Sequence, residues 1–175
     1  MTSGRQIYRA LKGDQLTGKQ FLGVFAADKL PNLIDAKPTG LVANTDCSSD
    51  PGEHWIAMYF PADGPAEFFD SYGSESGAYD QFADYLSSNA SSVVRSYKCL
   101  QNPLTSACGQ YCIFFMIHRC HGVSLLDIIR FFDRRSDTFL NDSYVTAWVN
   151  KRCHMRTNVV DAENIIDQVS TAFRL

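Results

Sequence analysis

A thiol, an imidazole, a carboxylate and a carboxamide stand far apart in this chain, each in a setting that suits one step of acyl transfer. Cys108 lies where a polar loop, QNPLTSA, meets an apolar run, CGQYCIFFMIHRC. The run predicts a helix over 108–120, buried on nearly all sides because Ile113 to Ile117 are consecutive large apolar residues. A helix start carries partial positive charge and free N–H groups, and both favour a thiolate. The Cys108 N–H would also face the oxygen of an attacked carbonyl. Ala107 and Gly109 are small, so the sulfur is expected to be accessible. Upstream, across a loop stiffened by Pro103, the Gln101 amide could donate to an oxyanion.

The imidazole and carboxylate come from a hairpin. EHWIAMYF (53–60) and AEFFDS (66–71) read as strands, separated by PADGP with its Asp63-Gly64 turn signal. A turn centred on residues 62 and 63 sets His54 opposite Asp70, on one face at the open end of the hairpin. A carboxylate on one ring nitrogen fixes the tautomer and leaves the other nitrogen to act as base. Taken singly, each residue also has a plainer reading. His54 and Asp70 could be a structural pair, Cys108 a small buried hydrophobe, and Gln101 a solvated loop residue.

The elements around these residues follow from periodicity. A helix is expected over 5–12 with Ile7, Tyr8 and Leu11 on one face, strands over 21–25 and 40–44, and a helix over 78–88 with Phe82, Tyr85 and Leu86 inward. Residues 92–100 read as strand. Gly122 ends the Cys108 helix, and Ser124 with Asp127 forms a variant capping box for a helix over 125–134. Helices over 142–152 (Val145, Trp148, Val149) and 161–173 (Ile165, Ile166, Val169, Phe173) complete an α+β fold: one domain over 1–175, with a central, mostly antiparallel sheet flanked by helices.

Composition narrows the classes of function. The 175 residues are 45% hydrophobic and 13% aromatic, enough for a large core and incompatible with general disorder. A net charge of −3 argues against nucleic-acid binding by bulk charge and leaves a local basic patch open. No apolar run is long enough to span a membrane, and residues 1–15 lack the apolar stretch of a secretory signal. Cys47, Cys99, Cys112, Cys120 and Cys153 are therefore expected as thiols, with Cys112 in the core. His118, Cys120, His121, Cys153 and His154 are potential zinc ligands for a non-enzymatic interaction module, although their spacing fits no standard finger.

The order His, Asp, Gln, Cys, in the contexts EHW, FFDSYG, LQNPLTSACG and YCIFF, resembles the adenain family of adenovirus-type cysteine endopeptidases. Relatives of that family occur in adintoviruses and polinton elements, and its clan includes the SUMO-specific proteases. FLG followed by DK and Pro at 21–31, and ANT at 43–45 followed by HW, extend the likeness over about residues 18–120. Residues 121–175 read as helical and divergent. The resemblance implies a cysteine-protease fold, His54 as base, Asp70 as its acidic partner, Gln101 as oxyanion donor and Cys108 as nucleophile. It implies protein substrates cut at Gly-containing sites, structural-precursor maturation for a virus or mobile element, a monomer, and a location in the host nucleus or cytoplasm and in the virion.

The sequence by itself requires no cofactor; the resemblance allows an activating peptide or DNA. Two departures stand out. Asp70 occupies a position where adenovirus enzymes usually carry Glu, which brings the site closer to the SUMO-protease branch. The cysteine that accepts a disulfide-linked activating peptide has no clear counterpart, Cys99 being only near it. A SUMO- or ubiquitin-like deconjugase and an acyltransferase of the same clan use the same four residues and stay open as alternatives.

Overall fold

The computed structural model describes residues 2–133 and 137–155; the helix expected over 161–173 lies outside the described residues. Helices α1 (Gly4–Gly13) and α2 (Thr17–Gln20) precede β1 (Phe21–Phe25) and β2 (Thr39–Asn44). The hairpin β3 (Trp55–Phe60) and β4 (Ala66–Phe69) leads into α3 (Asp80–Asn89) and β5 (Val93–Arg95). Then come α4 (Cys108–Cys120), α5 (Leu125–Phe131) and α6 (Thr138–Arg152). No helix among the described residues is long and apolar enough to cross a membrane.

The five strands form one sheet in chain order. Its centre is antiparallel, β2 with β3 and β3 with β4, as expected. Both edge pairings are parallel, which makes the sheet mixed. The connections explain the difference: residues 26–38 separate β1 from β2, and α3 lies between β4 and β5, so each chain segment is long enough to return in the same direction.

Strand alternation sends residues to two cores. Ile56, Met58 and Phe60 of β3 join Leu41, Ala43 and Phe68 under Phe82 and Leu86 of α3. Val42, Ala57, Tyr59 and Phe69 face the other way, onto α4. There Phe69 and Phe115 stack at 4.5 Å with planes 3° apart. Ile7 and Leu11 of α1, Ile128 and Ile129 of α5, and Val145 and Val149 of α6 close over the rest of α4. Residues Cys112 to His118 are all buried as a result. Each such large side chain contributes roughly 1.5–3 kcal/mol of burial, so the position of Cys108 is set by one of the best-packed elements of the molecule.

Several boundaries differ from the sequence reading. Tyr8 is exposed, and Ala10 takes its place on the buried face of α1. Only Val93–Arg95 of the expected strand over 92–100 pairs in the sheet. Ser96 N–H still donates to Phe68 O of β4 at 3.0 Å, and the chain then turns to bond with the segment after β4, Leu100 N–H and Gln101 N–H both donating to Ser71 O at 2.8 and 3.1 Å. Helix α6 begins at Thr138 rather than 142 because Asp137 caps it, accepting from the Phe139 and Leu140 N–H groups. Ser124 caps α5, accepting from Asp127 N–H at 3.1 Å while its hydroxyl donates to the Asp127 carboxylate at 2.6 Å.

The hairpin register also differs by one step. Ala57 faces Phe69, Met58 faces Phe68 and Tyr59 faces Glu67, so the turn is centred on Asp63. Carried outward, that register sets His54 opposite Tyr72, not Asp70. Asp70 is then a diagonal neighbour of His54 on the same face, still within reach of a long side chain.

Candidate active site

Four chain segments converge beyond the ends of β3 and β4. The first brings His54, just before β3. The second is the turn Asp70–Gly73, closed by Gly73 N–H donating to Asp70 O at 3.0 Å. Gly73 has φ +74°, and a Cβ there would lie 2.7–2.9 Å from the Lys98 backbone. Glycine is needed for both reasons, and the close approach brings the third segment, 98–101, against the turn. The fourth is the start of α4.

His54 Nε2 lies 2.8 Å from Asp70 Oδ1, in a buried pair. A carboxylate can only accept, so this nitrogen carries the hydrogen. Nδ1 makes no bond to the carboxylate, and Cys108 lies near enough to the ring to raise its pKa. Burial by itself pulls the His54 pKa down. The interactions with Asp70 and Cys108, the Asp70 hydrogen bond foremost, outweigh it, and the pKa is raised to about 9. The ring is therefore an imidazolium at neutral pH, held against the buried Asp70 side chain.

Asp70 is fully buried and fixed on several sides. Its backbone N–H donates to Ser96 Oγ at 2.9 Å, and the Ser96 hydroxyl donates back to Asp70 O at 2.8 Å. Its carboxylate accepts from Tyr72 N–H at 2.8 Å and from the Tyr79 hydroxyl at 3.5 Å. Tyr72 then folds over the imidazole, its ring stacked on His54 at 4.7 Å and 22°.

Cys108 is the first residue of α4, as expected, but its accessibility is not. The residue is 2% exposed. The small neighbour Gly109 admits other parts of the protein instead: a Cβ there would meet Thr2 Cβ at 2.9 Å, Ile7 Cδ1 at 3.2 Å and Trp55 Cδ1 at 3.3 Å. Trp55 is pinned in turn by its Nε1–H donating to Thr2 O at 3.0 Å. Of the remaining thiols, Cys99, Cys112, Cys120 and Cys153 all have pKa values pushed up, in each case chiefly by burial.

Gln101 is fully buried beside this group rather than solvated. Its Oε1 accepts from the Ser71 hydroxyl at 2.8 Å. Its Nε2 donates to Thr105 O at 2.9 Å and to Tyr72 Oη at 3.2 Å. The loop it begins is tied to α6 by Asp142, which accepts from Asn102 N–H, Thr105 Oγ1 and the Tyr111 hydroxyl.

Hydrogen bonds join three of the residues picked from the sequence, His54, Asp70 and Gln101, through Tyr72, and Cys108 lies near enough to His54 to raise its pKa. Tyr72, Ser96 and Asp142 were missed. Tyr72 follows directly from the register, since a turn centred on Asp63 places it opposite His54; the other two depend on contacts between distant segments. The five potential zinc ligands do not assemble. His118 is buried against Phe114 O at 2.7 Å, its pKa lowered to about 4 by burial, and His121 is paired with Asp14. No group of three metal-ligating side chains converges among the described residues.

No protein-family model matches the sequence, and neither does any curated protein. Among solved structures, the chain is similar to the ASFV pS273R protease, with 23% identity and a TM-score of 0.42. That match covers 69% of this chain and 44% of the other, so it spans less than half the length of that protein.

Proposed function

We propose that this protein is a cysteine endopeptidase. The observation that carries the reading is the imidazole of His54 bonded at 2.8 Å to a buried carboxylate, Asp70, and near enough to Cys108, at the start of a buried helix, for that residue to raise its pKa. In this reading the Cys108 sulfur forms a bond to the scissile carbonyl carbon while the carbonyl π pair moves to oxygen. The Cys108 N–H and the Gln101 end of the site stabilise that oxyanion. His54, already protonated, gives its proton to the leaving amine as the C–N bond breaks. Water, deprotonated by the now neutral ring, then releases the acyl group from sulfur.

The likeness of the EHW, FFDSYG and LQNPLTSACG segments to the adenain family supports protein substrates cut at Gly-containing bonds and a role in maturing structural precursors. The test is cleavage of a peptide library containing Gly–Xaa and Xaa–Gly bonds, beside conjugates of SUMO- and ubiquitin-like modifiers. The reading expects internal peptide cleavage that Cys108→Ala abolishes. Cleavage confined to modifier conjugates would make the protein a deconjugase, and hydrolysis that survives Cys108→Ala would end the proposal.

A further inference from the structure

The first turns of α6 are polar on the face that the rest of the helix buries. Thr138, Asn141 and Asp142 are spaced to share that face, and Val145 and Val149 continue it as fully buried apolar residues. Asp142 is 7% exposed. A carboxylate at this depth is costly to desolvate unless protein donors replace the water. Nor does it cap its own helix, a task that Asp137 performs.

The donors that satisfy Asp142 come from two places. Asn102 N–H at 3.3 Å and the Thr105 hydroxyl at 2.5 Å belong to the loop between Gln101 and Cys108. The Tyr111 hydroxyl at 2.9 Å belongs to α4, one turn beyond Cys108. One carboxylate thus joins that loop to the helix that carries the sulfur. Thr138 adds to the grip, its Oγ1 accepting from Asn102 Nδ2 at 3.2 Å. The loop passes the restraint on to Gln101. Asn102 is its neighbour in the chain, and Thr105 O accepts from Gln101 Nε2 at 2.9 Å, so a displaced Thr105 displaces the amide.

We propose that Asp142 is a positioning residue for oxyanion stabilisation, acting through Asn102 and Thr105 to hold the Gln101 amide in place relative to Cys108. The proposal rests on the thiol-peptidase reading. It gives a function to α6, a helix beyond the stretch of sequence that resembles adenain.

Two reagents separate positioning from folding, because both react with the Cys108 thiolate and only one makes an oxyanion. With p-nitrophenyl acetate, sulfur bonds to the carbonyl carbon, the π pair moves to oxygen, and its return expels p-nitrophenolate. With iodoacetamide, sulfur displaces iodide from an sp³ carbon. In Asp142→Ala the Thr105 and Tyr111 hydroxyls keep only Asn102 O and Leu100 O as acceptors, and Asn102 N–H loses its own. Thr105→Val is the second variant. It keeps the side-chain shape and the main-chain carbonyl that Gln101 uses, and it removes the hydroxyl that Asp142 holds.

Asp142→Ala is expected to slow acylation of Cys108 by about tenfold or more, in the range of a lost oxyanion donor, while alkylation stays within about twofold. Asp142→Asn should recover part of the loss, since its Oδ1 still accepts. Thr105→Val should lower acylation relative to alkylation in the same way, and it decides the matter if Asp142→Ala does not fold. In a Gln101→Ala background, Asp142→Ala should slow acylation by less than about a further twofold, because the group it positions is gone. Equal losses in the two reactions would mark a structural role and overturn the proposal. Acylation at the wild-type rate overturns it too, as do effects of Asp142→Ala and Gln101→Ala that multiply. Gln101→Ala that acylates normally overturns the role given to Gln101, and a wild-type Cys108 that neither reagent modifies overturns the peptidase reading; this proposal falls with either.

Discussion

Replacing Asp70 by Asn tests how the charge on His54 is held. The two side chains are nearly isosteric. Asn Oδ1 can still accept from His54 Nε2–H and Tyr72 N–H, and its NH2 would face the Tyr79 hydroxyl, now 3.5 Å from Asp70 Oδ2. The change therefore removes the charge and leaves the packing. In the wild type the pKa of His54 stands at about 9 instead of 6.5, a net preference for the imidazolium of about 3 kcal/mol. Asp70 acts through both a hydrogen bond and its charge, and only the Cys108 interactions oppose the burial penalty once that charge is gone. The pKa in D70N should fall by about two units, to about 7 or below. At pH 8 the imidazolium would drop from about nine-tenths to about one-tenth of molecules. The direct assay is NMR titration of the ring-labelled histidines, with His54 assigned from His54→Ala. The alkaline limb of peptide cleavage should move down with it, and turnover at the optimum should fall by up to about 10⁴, as for a comparable carboxylate-to-amide change in another triad. A His54 that titrates unchanged in D70N would refute the reasoning, because the carboxylate would then not be what holds the charge.

Three further outcomes follow from the same geometry. Gly109→Ala forces a Cβ against Thr2, Ile7 and Trp55 at 2.9–3.3 Å and should lower stability by about 1–3 kcal/mol in urea unfolding. Asp142→Ala leaves Asn102 N–H without its acceptor and leaves the Thr105 and Tyr111 hydroxyls only Asn102 O and Leu100 O; we expect a loss of about 1–3 kcal/mol, slower acylation of Cys108, and partial rescue of both by Asn. Because the folded pKa of His54 is raised, its stabilising contribution is complete below about pH 6.5 and disappears as pH climbs through about 9. The stability gap between wild type and His54→Gln, read by chemical denaturation, should therefore narrow from pH 6 to pH 10.

Much of this arrangement could be read from the residues in advance because local signals agreed with tertiary ones. The apolar run after Cys108 allowed only a buried helix, and a helix buried on all sides has to start at the last polar loop before it. The hairpin was legible for the same reason: two alternating segments flank a DG turn. Its register was not, because PADGP can centre on either of two neighbouring positions. The His54–Asp70 pairing survived the shift because moving the centre by one residue changes the partner by two and leaves both side chains on the same face. Tyr72 was hidden by that same shift. The Val–Val–Arg stretch at 93–95 makes all of 92–100 read as strand, yet Gly73 lets the neighbouring turn approach so closely that the residues after Arg95 leave the sheet to bond with it. Asp142 could not be found from its own surroundings, since its partners lie on a loop and a helix about 30–40 residues away in the chain. The burial of Cys108 has the same origin: its small neighbour reads as an opening in the sequence, and Thr2, Ile7 and Trp55 fill it.

The most direct test of the account is which cysteine reacts first. Cys47 and Cys99 are exposed, whereas Cys108 is 2% exposed. Accessibility and activation therefore favour different residues. Brief treatment at pH 7 with substoichiometric iodoacetamide, followed by peptide mass spectrometry, separates them. The account predicts that Cys108 is labelled ahead of Cys47 and Cys99 and that His54→Ala removes the preference. Labelling of Cys47 and Cys99 with Cys108 inert, or a Cys108 signal indifferent to His54, would contradict it.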